Sequence, residues 1–310
     1  MKSKIVHSFM ILLVLSGCAS NSKENTITIS GAFALYPLVV KWSEVYKMEH
    51  PEIQFVISNG GAQKGMDEAL SGVVDLGMFS DEIAQQENDE NVWWVGLAFD
   101  AVVPTVSDTN PYLDIIKKRG VTRDEFRAIF IERSIADWGD LFNTHLRNSL
   151  VVYTRSDACG AAGTWAHFLG GRQENLKGIA IFGDAGLADA VANDPAGIAF
   201  NNTIFAYDIN TGGKRSGVEV IPIDTNENGT IDPEEAFYNS MEDILRAIAD
   251  SVYPSPPARE LFFVSGGKPQ KQAVLDFIEW TLTEGQQYVK ESGYVTVGHG
   301  QIDGYLQKLK

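Results

Sequence analysis

Between residues 26 and 81 the chain makes the same move three times: a short β-branched run, a turn of small residues, then apolar positions at helical spacing. Residues 26–29 (TITI) alternate as a half-buried strand does. The turn Ser30-Gly31-Ala32-Phe33-Ala34-Leu35 follows, and a helix is expected from about Tyr36. Pro37 falls in its first turn, where a missing N–H costs nothing, and Leu38, Trp42 and Val45 keep helical spacing. Residues 54–58 read as a second strand, residues 59–65 (NGGAQKG) as a glycine turn, and a helix is expected from Met66. A third strand over 73–77 ends in Met78-Phe79-Ser80-Asp81. This alternation predicts an α/β fold with parallel strands. All three turns then lie at the carboxyl ends of the strands, where open α/β sheets bind ligands.

A fourth junction, residues 151–170 (VVYTRSDACGAAGTWAHFLG), repeats the pattern farther along the chain. Val151 to Tyr153 suit the end of a buried strand, and small residues from Ala158 to Gly163 lead into a helix through Trp165, Phe168 and Leu169. A sharp strand-to-helix turn of small residues lets main-chain N–H groups approach a ligand. The unpaired donors and the positive end of the helix dipole favour an anion. Arg155 adds a forked, permanently charged donor. A plainer reading stands beside this one: the turn only packs a helix, and Arg155 is salt-bridged to Asp157.

The ends and the charge of the chain bound its setting. Residues 1–18 read as a lipoprotein signal peptide: Lys2 and Lys4, an apolar run from Phe9 to Leu15, then Leu15-Ser16-Gly17-Cys18, which resembles a bacterial lipobox. The run is too short to span a bilayer. Cys18 is the expected lipidation site, residues 19–25 a polar tether, and the cell envelope outside the cytoplasm the expected location. That leaves Cys159, of 2 cysteines, without an intramolecular partner. The formal net charge of -16 argues against nucleic acid as a partner. Two lobes are expected, residues 26–102 plus 255–310 and residues 103–254. The crossings fall near 101–106 and at the rigid YPSPP segment, 253–257.

The segments ISGAFALYPLVVKWSEVY, ISNGGAQKGMDEALSGVVDLGMFS and YTRSDACGAAGTW resemble the three ligand loops of the substrate-binding proteins of phosphate ABC transporters. IFGDAGLADAVANDPAGIAFNN, YPSPPARELFFVSGGKP and VLDFIEWTLTEGQQYVKESGYV resemble later parts of that family in the same order. The resemblance implies a two-lobe, type II periplasmic-binding-protein fold with two hinge crossings. It also implies a monomer that captures an oxyanion, phosphate first, and delivers it to an ABC permease without enzymatic chemistry. Carried onto this chain, the ligand-binding positions are Ala32, Phe33, Ala34, Gly61, Ala62, Gln63, Ser80, Asp81, Arg155, Asp157, Cys159, Gly160 and Ala161. Here the chain departs from the family. Ala32, Phe33, Ala62, Cys159 and Ala161 stand where Ser or Thr hydroxyls are usual, and each lost hydroxyl removes a hydrogen bond to a charged ligand worth roughly 1.5–3 kcal/mol. Main-chain donors survive such changes. Ser80 or Asp81 could accept a proton from hydrogenphosphate. A cysteine hydrolase is the poorer reading of Cys159, because His167 is two helical turns away, about 12 Å.

One local motif stands apart. Residues 224–235 (DTNENGTIDPEE) fit the twelve-residue EF-hand calcium loop: Asp224, Asn226, Asn228 and Asp232 offer side-chain oxygens, Thr230 its carbonyl and Glu235 a bidentate carboxylate, with Gly229 at the sharp turn. A structural Ca²⁺ is expected there, between a preceding strand (218–223) and a helix beginning near Glu234. A second functional class stays open, a calcium-stabilised surface interaction or sensor protein on the same scaffold that binds another ligand or none.

Overall fold

The computed structural model describes residues 21–83 and 91–310. Cys18, the signal segment and the acidic residues 84–90 lie outside the described residues. Where the sequence suggested only a tether, Asn21–Glu24 forms one helical turn.

Ten strands are described: β1 Thr26–Gly31, β2 Gln54–Asn59, β3 Leu76–Phe79, β4 Val92–Ser107, β5 Val151–Arg155, β6 Ile179–Ile181, β7 Gly197–Asn202, β8 Val218–Val220, β9 Ala258–Gly266 and β10 Val295–Thr296. They join in the order β2-β1-β3-β9-β4-β7-β5-β6, with β8 and β10 also paired to β4. β1 runs parallel to β2 and β3, and β5 parallel to β6 and β7. The parallel strands anticipated from the three junctions are therefore present, and so is the type II periplasmic-binding-protein fold.

β4 organises the molecule. Its sixteen residues, VWWVGLAFDAVVPTVS, are almost all apolar, and at strand rise they extend about 50 Å. Up to Ala101 the strand pairs with β9, where Ala101 faces Ala258; from Val102 onward it pairs with β7 and β8. One strand thus serves two separate cores. The first is built on Trp42, Tyr46, Phe263 and Phe277, the second on Phe126, Phe130, Trp138, Trp165 and Phe200. The return passage lies beside the same point of β4: Tyr253 donates its hydroxyl to the Val102 carbonyl at 2.7 Å, and Val102 N–H donates to the Pro257 carbonyl.

The elements follow the sequence pattern with three instructive differences. Tyr36–Glu49 starts as expected, buries Leu38, Trp42 and Tyr46, and is tied down by Trp42 Nε1, which donates to the Gly285 carbonyl at 2.8 Å. The next helix begins at Ala62, not Met66, because Gly61 at φ 106 turns the chain directly into it. β3 begins at Leu76, not Val73. The N–H groups of Val73 and Val74 turn back onto the Glu68 carbonyl, and the Asp75 carboxylate accepts from Thr28 N–H and Oγ1 at 2.8 and 2.9 Å. Finally, no helix leaves the acidic loop at Glu234. A 3₁₀ turn, Pro233–Glu235, is followed by Tyr238 entering the core, and the helix Met241–Ala249 starts afresh from the Ser240 cap.

Candidate functional site

The turns after β1, β2, β3 and β5 face one another across the junction of the two cores, and they touch through glycines. A Cβ on Gly61 would lie 2.6 Å from the Ala158 carbonyl oxygen, and one on Gly163 would lie 2.5 Å from Asp81 Oδ2. A Cβ on Gly160 would overlap the Ser80 carbonyl. Side chains at these three points would hold the halves apart, so the small residues that the sequence placed in the turns set how closely the lobes approach. Between them opens a cleft of about 580 Å³, lined in part by Ala62, Gln63, Phe79, Asp81, Ala158, Cys159, His167 and Arg172. A second pocket of about 300 Å³ shares Asp81, Glu82 and His167 with it and reaches Thr164, Arg259 and Glu260. The starts of the helices Ala62–Leu70 and Gly160–Phe168 open on the larger cleft, from opposite sides.

The residues singled out in the sequence fall in four places. Ala62, Gln63, Asp81 and Cys159 line the cleft. Ala32, Ala34 and Ala161 are buried, with Ala32 N–H donating to the Met78 carbonyl and the Ala34 carbonyl accepting from Tyr294. Gly61, Ser80 and Gly160 form the touching points. Arg155 lies behind the cleft, not in it. Its Nε and Nη2 donate to the two oxygens of Asp157 at 2.9 and 2.6 Å, and Nη1 donates to Asp184 Oδ2 at 2.6 Å. The Phe33 ring covers it, 5.4 Å from the guanidinium carbon. The salt-bridged alternative weighed for Arg155 is thus the observed arrangement, joined by a second carboxylate. Burial works against the guanidinium charge, and the charges around it, Asp184 first, more than offset that and raise its pKa.

Cys159 caps the helix through Sγ and its N–H donates to Gln173 Oε1 at 3.1 Å. Burial pushes its thiol up to about 12, so it is no nucleophile near neutral pH. His167 pairs instead with Glu82. Asp81 has its carboxyl pKa raised by burial, only partly offset by the Glu82 N–H and by Arg259.

Several residues at the junction escaped the sequence reading. Arg259, at the start of β9, donates to Asp100 at 2.9 and 3.3 Å, to Thr164 Oγ1 at 2.9 Å and to Asn202 Oδ1 at 2.5 Å. Asn202 Nδ2 in turn donates to Asp184 Oδ1 at 2.7 Å. Asp100, Arg259, Asn202, Asp184, Arg155 and Asp157 therefore form one continuous buried polar chain. It runs from the β4–β9 pair into the second core. The available signals were Arg259 just past the YPSPP crossing and Asp100 just before the other one. Asp184 carried only a Gly-Asp helix start.

The acidic loop is folded on itself. Asp224 accepts from the N–H groups of Asn228 and Gly229 at 3.3 and 2.8 Å; Asn226 Oδ1 accepts from Asn228 N–H and Asn228 Oδ1 from Thr230 N–H. Glu235 accepts from the N–H groups of Thr225 and Asp232. Among the described residues no group of three or more His, Cys, Asp or Glu side chains is close enough to hold a metal ion. A cation here would draw on the Asn oxygens and the Thr230 carbonyl as well. Ile231 anchors the loop, donating its N–H to the Lys118 carbonyl at 2.8 Å.

The fold and the inter-lobe cleft define a class, the periplasmic binding proteins. The chain matches the PBP superfamily domain over residues 17–284 and belongs to that superfamily. It is 25% identical to the phosphate-binding protein PstS of Methanocaldococcus jannaschii, over 87% of this chain and 82% of that one. It is 24% identical to the phosphate-binding protein PstS of Bacillus subtilis, over 63% of this chain and 67% of that one. In three dimensions it is similar to a Clostridium perfringens protein crystallised with bound phosphate and described as a phosphate ABC transporter substrate-binding protein. That match has a TM-score of 0.70 at 20% identity and covers 88% of this chain and 100% of the other. Among the described residues no helix is long and apolar enough to cross a membrane.

Proposed function

We propose that the chain is an extracytoplasmic, lipid-anchored solute-binding protein that captures a small oxyanion, phosphate first, between its lobes and hands it to an ABC permease. The observation that carries this reading is the meeting of turns from both lobes around one cleft, with the starts of the helices Ala62–Leu70 and Gly160–Phe168 facing into it. Helix starts present main-chain donors and a positive partial charge, which is how a site stripped of hydroxyls can still hold an anion. The relatives named as phosphate-binding proteins support phosphate as the first guest to try. Anchoring through Cys18 rests on the lipobox resemblance, and delivery to a permease on the family resemblance. Binding, not catalysis, is the assigned role, acting as a monomer.

Titration calorimetry of the purified, lipid-free chain with sodium phosphate, sulfate and molybdate tests the reading. Heat with phosphate and saturation at one equivalent is the expected result. No heat with any of the three removes oxyanion capture, and the remaining class is then a surface interaction or sensor protein on this scaffold.

The acidic loop serves this protein as a structural calcium site. Asp224, Asn226, Asn228, Asp232 and Glu235 would supply side-chain oxygens and Thr230 its carbonyl, within the 6–8 that Ca²⁺ takes. Tyr238 links the loop to the return passage: its hydroxyl accepts from Ile223 N–H at 3.1 Å and its ring lies 6.2 Å from that of Tyr253. The ion would brace the second lobe close to the crossing.

A further inference from the structure

Every edge of the Arg155 guanidinium that carries a contact carries one from the chain itself. Asp157 takes the Nε–Nη2 fork, Asp184 takes Nη1 at 2.6 Å, and the side chain is 0% exposed. Asp184 is not a mobile visitor. Asn202 holds its other oxygen at 2.7 Å, and its place at the start of the helix Asp184–Ala192 fixes its backbone. Phe33 closes the remaining side. Its ring lies 5.4 Å from the guanidinium carbon, stands edge-on to Phe182 at 6.0 Å, and comes from the turn after β1, whose Ala32 and Ala34 pack in the first core. One cation is thus shared by two carboxylates, which leaves the cluster with one net negative charge.

This arrangement bears directly on the oxyanion reading, on which the following rests. A guanidinium recruits a tetrahedral anion by offering it a free edge of paired donors. Here a carboxylate that belongs to the protein has that edge, and a phenyl ring, at a position where the resemblance expects a hydroxyl, has the adjoining space. We propose that Asp184 and Phe33 are a built-in stand-in for the guest at Arg155, and that they are the residues setting the cleft's affinity and selectivity for inorganic phosphate. Asp184 supplies the negative charge and the acceptor; Phe33 supplies the volume. With both in place an oxyanion in the cleft meets main-chain donors without the Arg155 guanidinium, and a dianion is disfavoured beside the surplus negative charge of that cluster. Less highly charged oxyanions gain relative to hydrogenphosphate.

The test is calorimetry at pH 7.5 with sodium phosphate and sodium sulfate on the full-length mature protein and on Asp184→Asn, Phe33→Thr and their combination. Circular dichroism confirms the fold of each. Asn keeps the size of Asp184 and its one oxygen can still accept from Asn202 Nδ2, which turns its amide nitrogen, a donor, toward Nη1 and releases that guanidinium edge. Phe33→Thr leaves the Arg155–Asp157–Asp184 cluster intact and so reads out independently if Asp184→Asn does not fold. The expected result is phosphate binding at least tenfold tighter in each single variant, which is about 1.4 kcal/mol, and tighter still in the combination. Unchanged or weaker binding in both single variants overturns the proposal. If the parent binds phosphate tightly at the same time, oxyanion capture stands and only the stand-in role falls. If neither the parent nor any variant gives heat with either anion, both fall together.

Discussion

The inter-lobe cleft and the acidic loop at residues 224–235 both bring carboxylates into close quarters, and they neutralise them by opposite means. In the loop, the carboxylates of Asp224 and Glu235 are satisfied by N–H groups from the same twelve residues. Behind the cleft, Asp100, Asp157 and Asp184 are satisfied by two guanidinium groups, Arg155 and Arg259, far apart in the chain. The loop is a local unit whose geometry follows from spacing. The buried chain behind the cleft is a tertiary product that exists only when β4, β5, β7 and β9 have assembled. Perturbing one should therefore unfold far more of the molecule than perturbing the other.

The sharpest way to break that contrast is Arg155→Leu. Removing one partner of a buried ion pair leaves an uncompensated charge, which costs about 3–5 kcal/mol. Here two carboxylates are stranded instead of one: Asp157 and Asp184 have side chains 8% and 2% exposed. The expected loss, read by urea unfolding at pH 7, lies at the upper end of that range. Adding Asp184→Asn should recover part of it, since one stranded charge is then gone. A loss below about 1 kcal/mol would mean the cluster is solvated and contributes little.

A milder effect is expected from the loop. An extracellular calcium module with a Kd of 10⁻⁴–10⁻³ M gains about 1.4–2.7 kcal/mol at 10 mM Ca²⁺ from binding to the folded state alone. The melting temperature should rise with Ca²⁺, fall back on chelation, and lose its response in Glu235→Gln. A melting temperature indifferent to both Ca²⁺ and chelator removes the structural ion. It would also show that the N–H groups alone are enough to hold the loop.

The same division explains what the sequence could and could not disclose. Strand-to-helix junctions are periodic signals, so β1, β2, β5 and the helix Tyr36–Glu49 were legible to within a residue or two. Periodicity misled at Val73 and Val74, whose β-branched side chains sit in a turn because Glu68 and Asp75 claim the backbone around them. It misled again after Glu235, where helical spacing hid a break at Tyr238. For the site, the turns and the small residues were readable, and so was the Arg155–Asp157 pair two positions apart. Asp184 and Arg259 were not. Their partners come from other strands, and nothing in IFGDAG or PPAREL marks the register that brings them together.

The smallest effect concerns Asp81, which belongs to the cleft yet has no guanidinium of its own. Its carboxyl accepts only the Glu82 N–H at 2.9 Å among the described residues, and burial raises its pKa, outweighing that bond and Arg259. A carboxyl whose pKa is higher folded than unfolded binds its proton more tightly in the folded state. Its ionisation therefore subtracts stability as pH rises from the ordinary carboxylate value towards the raised one, and subtracts nothing more above it. Asp81→Asn should be neutral or slightly stabilising at pH 7 and should flatten the stability profile between pH 4 and the raised value. The change in slope is at most about 1.4 kcal/mol per pH unit for one proton. Unfolding midpoints in urea at half-unit intervals across that window measure it. A parallel profile in the variant would place the Asp81 carboxyl in water, outside the field of the cleft. The proton it could accept from hydrogenphosphate would then have no special reason to go there.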